Sequence, residues 1–149
     1  MKSQSNDAIN LLTKDHKEVK ILFQQYEGLT DASHARKKKI ANEICQALTL
    51  HAQVEEEIFY PAVRRAFKDA AMMDEALVEH ASAKELIVQI ENMYPDDELY
   101  DAKIKVLSEQ IDHHVHEEEH KMFPKVRQSG LDLNSLGEQI MARKEKENV

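Results

Sequence analysis

Apolar side chains recur along this chain at alternating steps of three and four, with polar residues between them, in four long stretches. That spacing turns one stripe of each stretch toward a common interior and predicts a bundle of amphipathic helices. The first helix is expected over about 5–27, closed by Gly28, with Asp31 and Ser33 supplying a turn and an N-cap for the next. The second runs from about 35 to 68, interrupted by Pro61, which removes a backbone donor and should kink the helix or loosen its last turns. The third spans about 72–93 and ends at Tyr94-Pro95. The fourth begins near the acidic cap residues Asp96 and Asp97, passes Pro124, reaches Gln128 and stops at Ser129-Gly130. A polar tail over about 132–147 reads as a short, weakly docked fifth helix.

The four expected seams are Ile9, Leu12, His16, Val19, Phe23 and Tyr26; Ile40, Ile44, Leu48, His51, Glu55 and Ile58; Met73, Leu77, His80, Ala83, Ile87 and Ile90; and Ile104, Leu107, Ile111, His114, Glu118 and Met122. Every seam carries an imidazole, and two carry a carboxylate as well. A buried imidazole or carboxylate costs several kcal/mol unless something pairs with it, so four helices incurring that cost together point to a shared partner. At about 1.5 Å of rise per residue, these groups fall at similar heights and meet in one layer.

Composition narrows the class without changing it. With 149 residues the chain fits a single domain over 1–149, its bundle core at about 5–128, and 3 Gly and 3 Pro leave little punctuation for strands. The fold class is all-α. A net charge of −8 works against tracking nucleic acid phosphates or anionic lipid, and the basic run Arg36 to Lys39 is short enough to read as a solvated helix face. The single cysteine, Cys45, lies in an apolar stripe and reads as a buried thiol. No stretch approaches the roughly 20 apolar residues that span a bilayer, and the cytoplasm is the expected compartment.

The chemistry is concentrated in a repeated segment. HAQVEEEIFYPAVR in the second helix and HVHEEEHKMFPKVR in the fourth share His, two Glu, Pro, Val and Arg at an offset of 63 residues, and Asp15-His16 is answered by Glu79-His80 at 64. Histidine and glutamate four apart lie only about 40° from each other around a helix, stacked on one face. Two such helices, with one histidine from each of the others, provide four His and two Glu, a mixed nitrogen and oxygen set suited to a pair of iron or manganese ions.

These segments resemble the hemerythrin-like, or HHE cation-binding, domain family over about Ile9 to Arg127: DHKEV at His16, HAQVEE at His51 and Glu55, EH at His80, and HVHEE at His114 and Glu118. The resemblance implies an up-down-up-down four-helix bundle with a short C-terminal extra helix, holding a non-haem di-iron centre with an oxo or hydroxo bridge. It implies that His16 and His51 ligate one iron, His80 and His114 the other, and that Glu55 and Glu118 bridge, with manganese or zinc as substitutes. Oxygen-carrying members place two histidines four apart on the third helix, whereas His80 has Ala76 before it and Lys84 after it. The missing histidine leaves room for water, oxygen, peroxide or a further carboxylate, with Glu56 and Glu119 nearest, and moves the expectation from oxygen storage toward sensing or redox chemistry.

The remaining candidates have simpler readings. His113 with Glu117, and His116 with His120, point about 100° to 240° away from His114 and should face solvent or a helix edge. His34 reads as surface, Met72, Met73, Met93 and Met122 as core filler, and Tyr26, Tyr60 and Tyr100 as packing by default, with hydrogen bonding to a bound oxygen species or electron transfer as the alternative for each. The expected function is a non-haem di-iron protein that binds or reacts with oxygen, peroxide or nitric oxide. The alternatives are an enzyme-like role in peroxide decomposition or iron–sulfur cluster repair, and a metal-free helical interaction module.

Overall fold

The computed structural model describes residues 6–30 and 32–147, and no strand occurs among them. Helices α1 (Ala8–Glu27), α2 (His34–Val54), α4 (Ala70–Glu91) and α5 (Tyr100–Glu117) form the bundle. A π-helical turn, Glu55–Phe59, carries α2 into α3 (Tyr60–Ala66), and a second, Glu118–Met122, carries α5 into α6 (Phe123–Arg127). A final helix, α7 (Leu133–Glu147), packs on α1 and α2. Short connections alternate the direction of successive long helices, giving the expected four-helix bundle with an extra helix.

The caps follow local chemistry, with two departures from expectation. Asp7 and Asp69 accept from Asn10 N–H at 2.8 Å and Met72 N–H at 3.1 Å and start α1 and α4. Asp31 lies outside the described residues, and the Ser33 side chain caps nothing. Asp96 and Asp97 do not open a helix: Asp97 accepts from Tyr94 N–H at 2.8 Å, closing a loop turn, and α5 begins only at Tyr100. Gly130, at φ +85°, makes the left-handed turn that releases the chain into α7.

Pro61 and Pro124 each follow a widened turn. A proline ring clashes with the carbonyl four residues back and has no N–H to offer it. Here Tyr60 N–H bonds to the Glu55 carbonyl and Phe123 N–H to that of Glu118, five residues back. Each widened turn absorbs one extra residue and shifts the seam. Hence Phe59 and Tyr60 are buried where Ile58 was expected, and Phe123 joins Met122. In α4, Ala76 takes the inward place expected of Leu77, which is exposed.

Two apolar clusters fill the bundle. One gathers Leu12, Val54, Phe59, Met73, Val126 and Ile140; the other, Val19, Ile44, Leu48, Ile87, Tyr100 and Leu107. Each fully buried side chain of this size contributes about 1.5–3 kcal/mol, and the polar layer lies between the two clusters. The tail is firmly docked, contrary to its polar look. Leu136 and Ile140 belong to the first cluster, and a Cβ on Gly137 would sit 2.0 Å from the Asn6 carbonyl oxygen, so only glycine lets α7 cross there. The basic run is likewise partly structural: Lys37 is buried against Asp101 at 3.1 Å, and Lys38 donates to the Met93 carbonyl at 2.6 Å.

Candidate metal centre

The four seam histidines and two seam glutamates meet in the layer between the clusters. His16 comes from α1, His51 from α2, His80 from α4 and His114 from α5, while Glu55 and Glu118 open the two π-turns. All six are buried, Glu55 and Glu118 to 0% and 1% exposure.

Their inward atoms divide into two groups that share the carboxylates. Glu55 turns Oε2 toward His51 Nε2 at 3.2 Å and Oε1 toward His80 Nε2 at 3.0 Å. Glu118 turns Oε1 toward His16 Nε2 at 3.1 Å and Oε2 toward His114 Nε2 at 3.2 Å. One half-site therefore comprises His16, His51, Glu55 and Glu118, the other Glu55, His80, His114 and Glu118, with the ligand-type atoms of each within 4.8 Å of one another. In the first half-site the four convergent atoms are close but not aimed as hydrogen bonds, so His16 Nε2, His51 Nε2, Glu55 Oε2 and Glu118 Oε1 have no hydrogen-bond partner. Four ligand-type atoms left without a hydrogen-bond partner in a buried layer fit a cation.

Each imidazole is held from outside by a carboxylate on a neighbouring helix. Asp15 of α1 bonds His51 Nδ1 at 2.8 Å, Glu56 beside α2 bonds His80 Nδ1 at 2.6 Å, Glu79 of α4 bonds His114 Nδ1 at 2.5 Å, and Glu119 beyond α5 bonds His16 Nδ1 at 2.7 Å. The four bonds run around the bundle in one direction. They put the proton on Nδ1 and turn Nε2 inward, as metal-binding histidines require. Glu56 and Glu119, expected as spare ligands, are thus occupied behind His80 and His16. The repeat had contained this signal, since Asp15 answers Glu79 and Glu56 answers Glu119.

Tyr60, expected first as packing, also enters the layer. A hydrogen bond spanning five residues sets residue 60 above residue 55, and the Tyr60 hydroxyl enters the second half-site. It donates to Glu118 Oε2 in a short bond and reaches Glu55 Oε1 at 3.0 Å, with His80 and His114 Nε2 both at 3.3 Å. Burial and the two carboxylates keep it a phenol, its pKa well above the ordinary value. The repeat places Phe123 at the matching position, and that ring stacks on His16 at 6.0 Å. Tyr26, in contrast, donates to Asp101 at 2.6 Å far from the layer.

Burial alone would lower the pKa of His51 and His114, yet Glu55 and Asp15 raise His51 to about 10, and Glu118 and Glu55 raise His114 to about 12. Without metal both hold protons at neutral pH, and an arriving cation must displace them. Above the imidazoles lies a partly open cavity of about 50 Å³, whose apolar lining is Val19, Leu48, Ala83, Ile87, Ile111 and Val115.

The family described as the hemerythrin HHE cation-binding domain matches residues 7–126. The chain belongs to this family. The fold agrees with a crystal structure of a hemerythrin HHE cation-binding domain-containing protein from Mycobacterium kansasii, with TM-score 0.80 at 22% identity over 94% of this chain and 86% of that one. A curated relative, a DNA nickase of Nostoc sp. (strain PCC 7120 / SAG 25.82 / UTEX 2576), is 29% identical over 118 residues. The match takes in 79% of this chain and 33% of the nickase, so the HHE chain spans about a third of that relative's length.

The buried histidine and glutamate clusters fit the metal-binding character of this HHE domain. The other candidates lie elsewhere. His113 and His34 are exposed, the His116 and His120 rings stack on each other at the surface at 4.1 Å, and Met73 and Met122 fill the core. Cys45 is buried, and burial pushes its thiol up to about 12. Among the described residues no helix is long and apolar enough to cross a membrane.

Proposed function

We propose that this HHE protein holds two iron ions and uses them to bind or react with oxygen, nitric oxide or peroxide in the cytoplasm, in a sensing, carrying or protective role. His16 and His51 would hold one ion, His80 and His114 the other, and Glu55 and Glu118 both. The observation that carries the reading is the straddling of the two carboxylates, each with one oxygen toward either half-site. Nitrogen and carboxylate donors without thiolate favour iron or manganese over soft metals. When bound, such a pair would supply open positions and electrons to a small oxidant.

The chain's own residues perform the rest. The outer carboxylates orient the imidazoles, the apolar walls restrict entry to molecules of a few atoms, and the same walls limit water. Tyr60 supports the second reading, turnover of peroxide, because a protonated phenol against the two shared carboxylates could orient a peroxide or lend it a proton. The nickase activity named for the Nostoc relative is not carried over: a charge of −8 opposes a phosphate backbone.

Metal analysis and the visible spectrum of protein from iron-replete cells test the proposal. Two irons per chain with ferric bands that shift on adding azide or reductant are expected; a colourless, iron-free protein that takes up none on reconstitution would sink it. Oxygen release from peroxide, lost in Tyr60→Phe, would favour turnover over passive binding.

A further inference from the structure

The C-terminal helix reaches the metal-binding layer. Lys144 of α7 donates to Asp15 Oδ1 at 2.5 Å, and Asp15 Oδ2 bonds His51 Nδ1 at 2.8 Å. The aspartate is largely shielded, with 13% of its side chain exposed, and the lysine is itself half-buried at 25%. One residue earlier, Arg143 donates to Glu57 at 2.9 Å and to Gln53 at 3.3 Å, on the turns that flank Glu55. Leu136 and Ile140 root the same helix in the core. One element outside the four-helix frame therefore grips both α1 and the His51–Glu55 segment, the backbone that builds the first half-site.

We propose that Lys144 is a positioning residue for the first half-site: it fixes Asp15, and through Asp15 the direction and basicity of His51, so that α7 is part of the metal centre. The inference rests on the metal-binding reading above. A carboxylate behind a ligand histidine sets its tautomer and ring orientation, and a carboxylate with a second, fixed cation loses the freedom to swing away. Asp15 has two oxygens and two fixed partners on opposite sides. The second half-site uses the same device without an extra helix, since Lys84 of α4 donates to Glu56 at 2.8 Å and Glu56 bonds His80. Lys84 follows His80 by four residues and answers Lys20 at the 64-residue offset, whereas position 144 lies beyond both hairpins.

Anaerobic titration of the intact chain with iron(II), in competition with a chromogenic chelator, tests this. Lys144→Met should weaken one of the two sites about tenfold, Lys144→Arg should restore most of the loss, and the metal-free melting temperature of both should stay near that of wild type. In a His51→Ala background, which retains the second site, Lys144→Met should have no further effect on iron binding. Unchanged binding in Lys144→Met overturns the proposal while leaving the metal centre standing. So does equal weakening of both sites with a fall in melting temperature that Lys144→Arg shares, which would make the lysine only a tie for α7. Wild-type protein that binds no iron overturns the metal reading itself, and the inference with it.

Discussion

The two half-sites are built from one repeated motif, yet they differ in what surrounds the inward atoms. Around His16 and His51 four polar atoms converge without a hydrogen-bond partner, and the aromatic neighbour is Phe123. Around His80 and His114 the corresponding atoms meet the Tyr60 hydroxyl. The backbones match, down to a π-turn before each proline, so the difference is one oxygen atom at equivalent positions. A symmetric frame can thus carry unsymmetric chemistry: one half-site is suited to holding a cation by its four donors alone, the other to handling protons beside it.

The sharpest way to break this comparison is to remove a shared group and compare it with an unshared one. Glu118→Ala takes a donor from both half-sites and should abolish binding of both ions, whereas His51→Ala should leave a single ion per chain; metal content after gel filtration distinguishes them. If His51→Ala also empties the second half-site, the division into halves is wrong. Next in size are the outer carboxylates. Asp15→Asn and Glu79→Gln should each weaken one site about 10–100-fold, measured by chelator competition, and equal loss at both sites in either variant would contradict the ring of helix-to-helix support.

Tyr60→Phe makes the halves alike. Losing the donor to two buried carboxylates should cost the metal-free protein about 1–3 kcal/mol in chemical denaturation, while Phe123→Leu, which keeps that side apolar, should leave the Tyr60 hydrogen bonds intact.

A further effect is spread over pH. His51 and His114 rise from the ordinary histidine value to about 10 and about 12 in the folded, metal-free chain. Groups raised on folding contribute stability that is complete below about pH 6.5 and declines as pH climbs through the folded values. The melting temperature of the metal-free protein should therefore fall from about pH 6.5 toward 12, most steeply below about 10. In the iron-loaded protein, whose ligand imidazoles hold no displaceable proton on Nε2, that decline should be absent; identical profiles would argue against these histidines as ligands.

Much of this was legible in the chain. The seam periodicity located α1, α2, α4 and α5 to within a few residues, and residues of the expected type at that spacing met in one layer because a helix repeats its face every three or four residues. The misses have two causes. Ile58 was expected inward instead of Phe59, and Tyr60 as packing by default, because a uniform helical period cannot register a turn that absorbs an extra residue. Lys37 reads as solvated and the polar tail as weakly docked because burial of a cation depends on a carboxylate that arrives from elsewhere in the chain, Asp101 for Lys37 and Asp15 for Lys144.

By itself, then, the sequence determined what depends on local period and on repetition: four helices, the family, and the six groups that face the core. Tertiary structure alone decided which carboxylate stands behind which imidazole, that Glu55 and Glu118 each span both half-sites, that Tyr60 enters one of them, and that α7 reaches Asp15. The physical reason is distance along the chain. A face on one helix follows from residues three and four apart, whereas the partner of a side chain such as Asp15, whose lysine lies 129 residues away, exists only once the helices have packed.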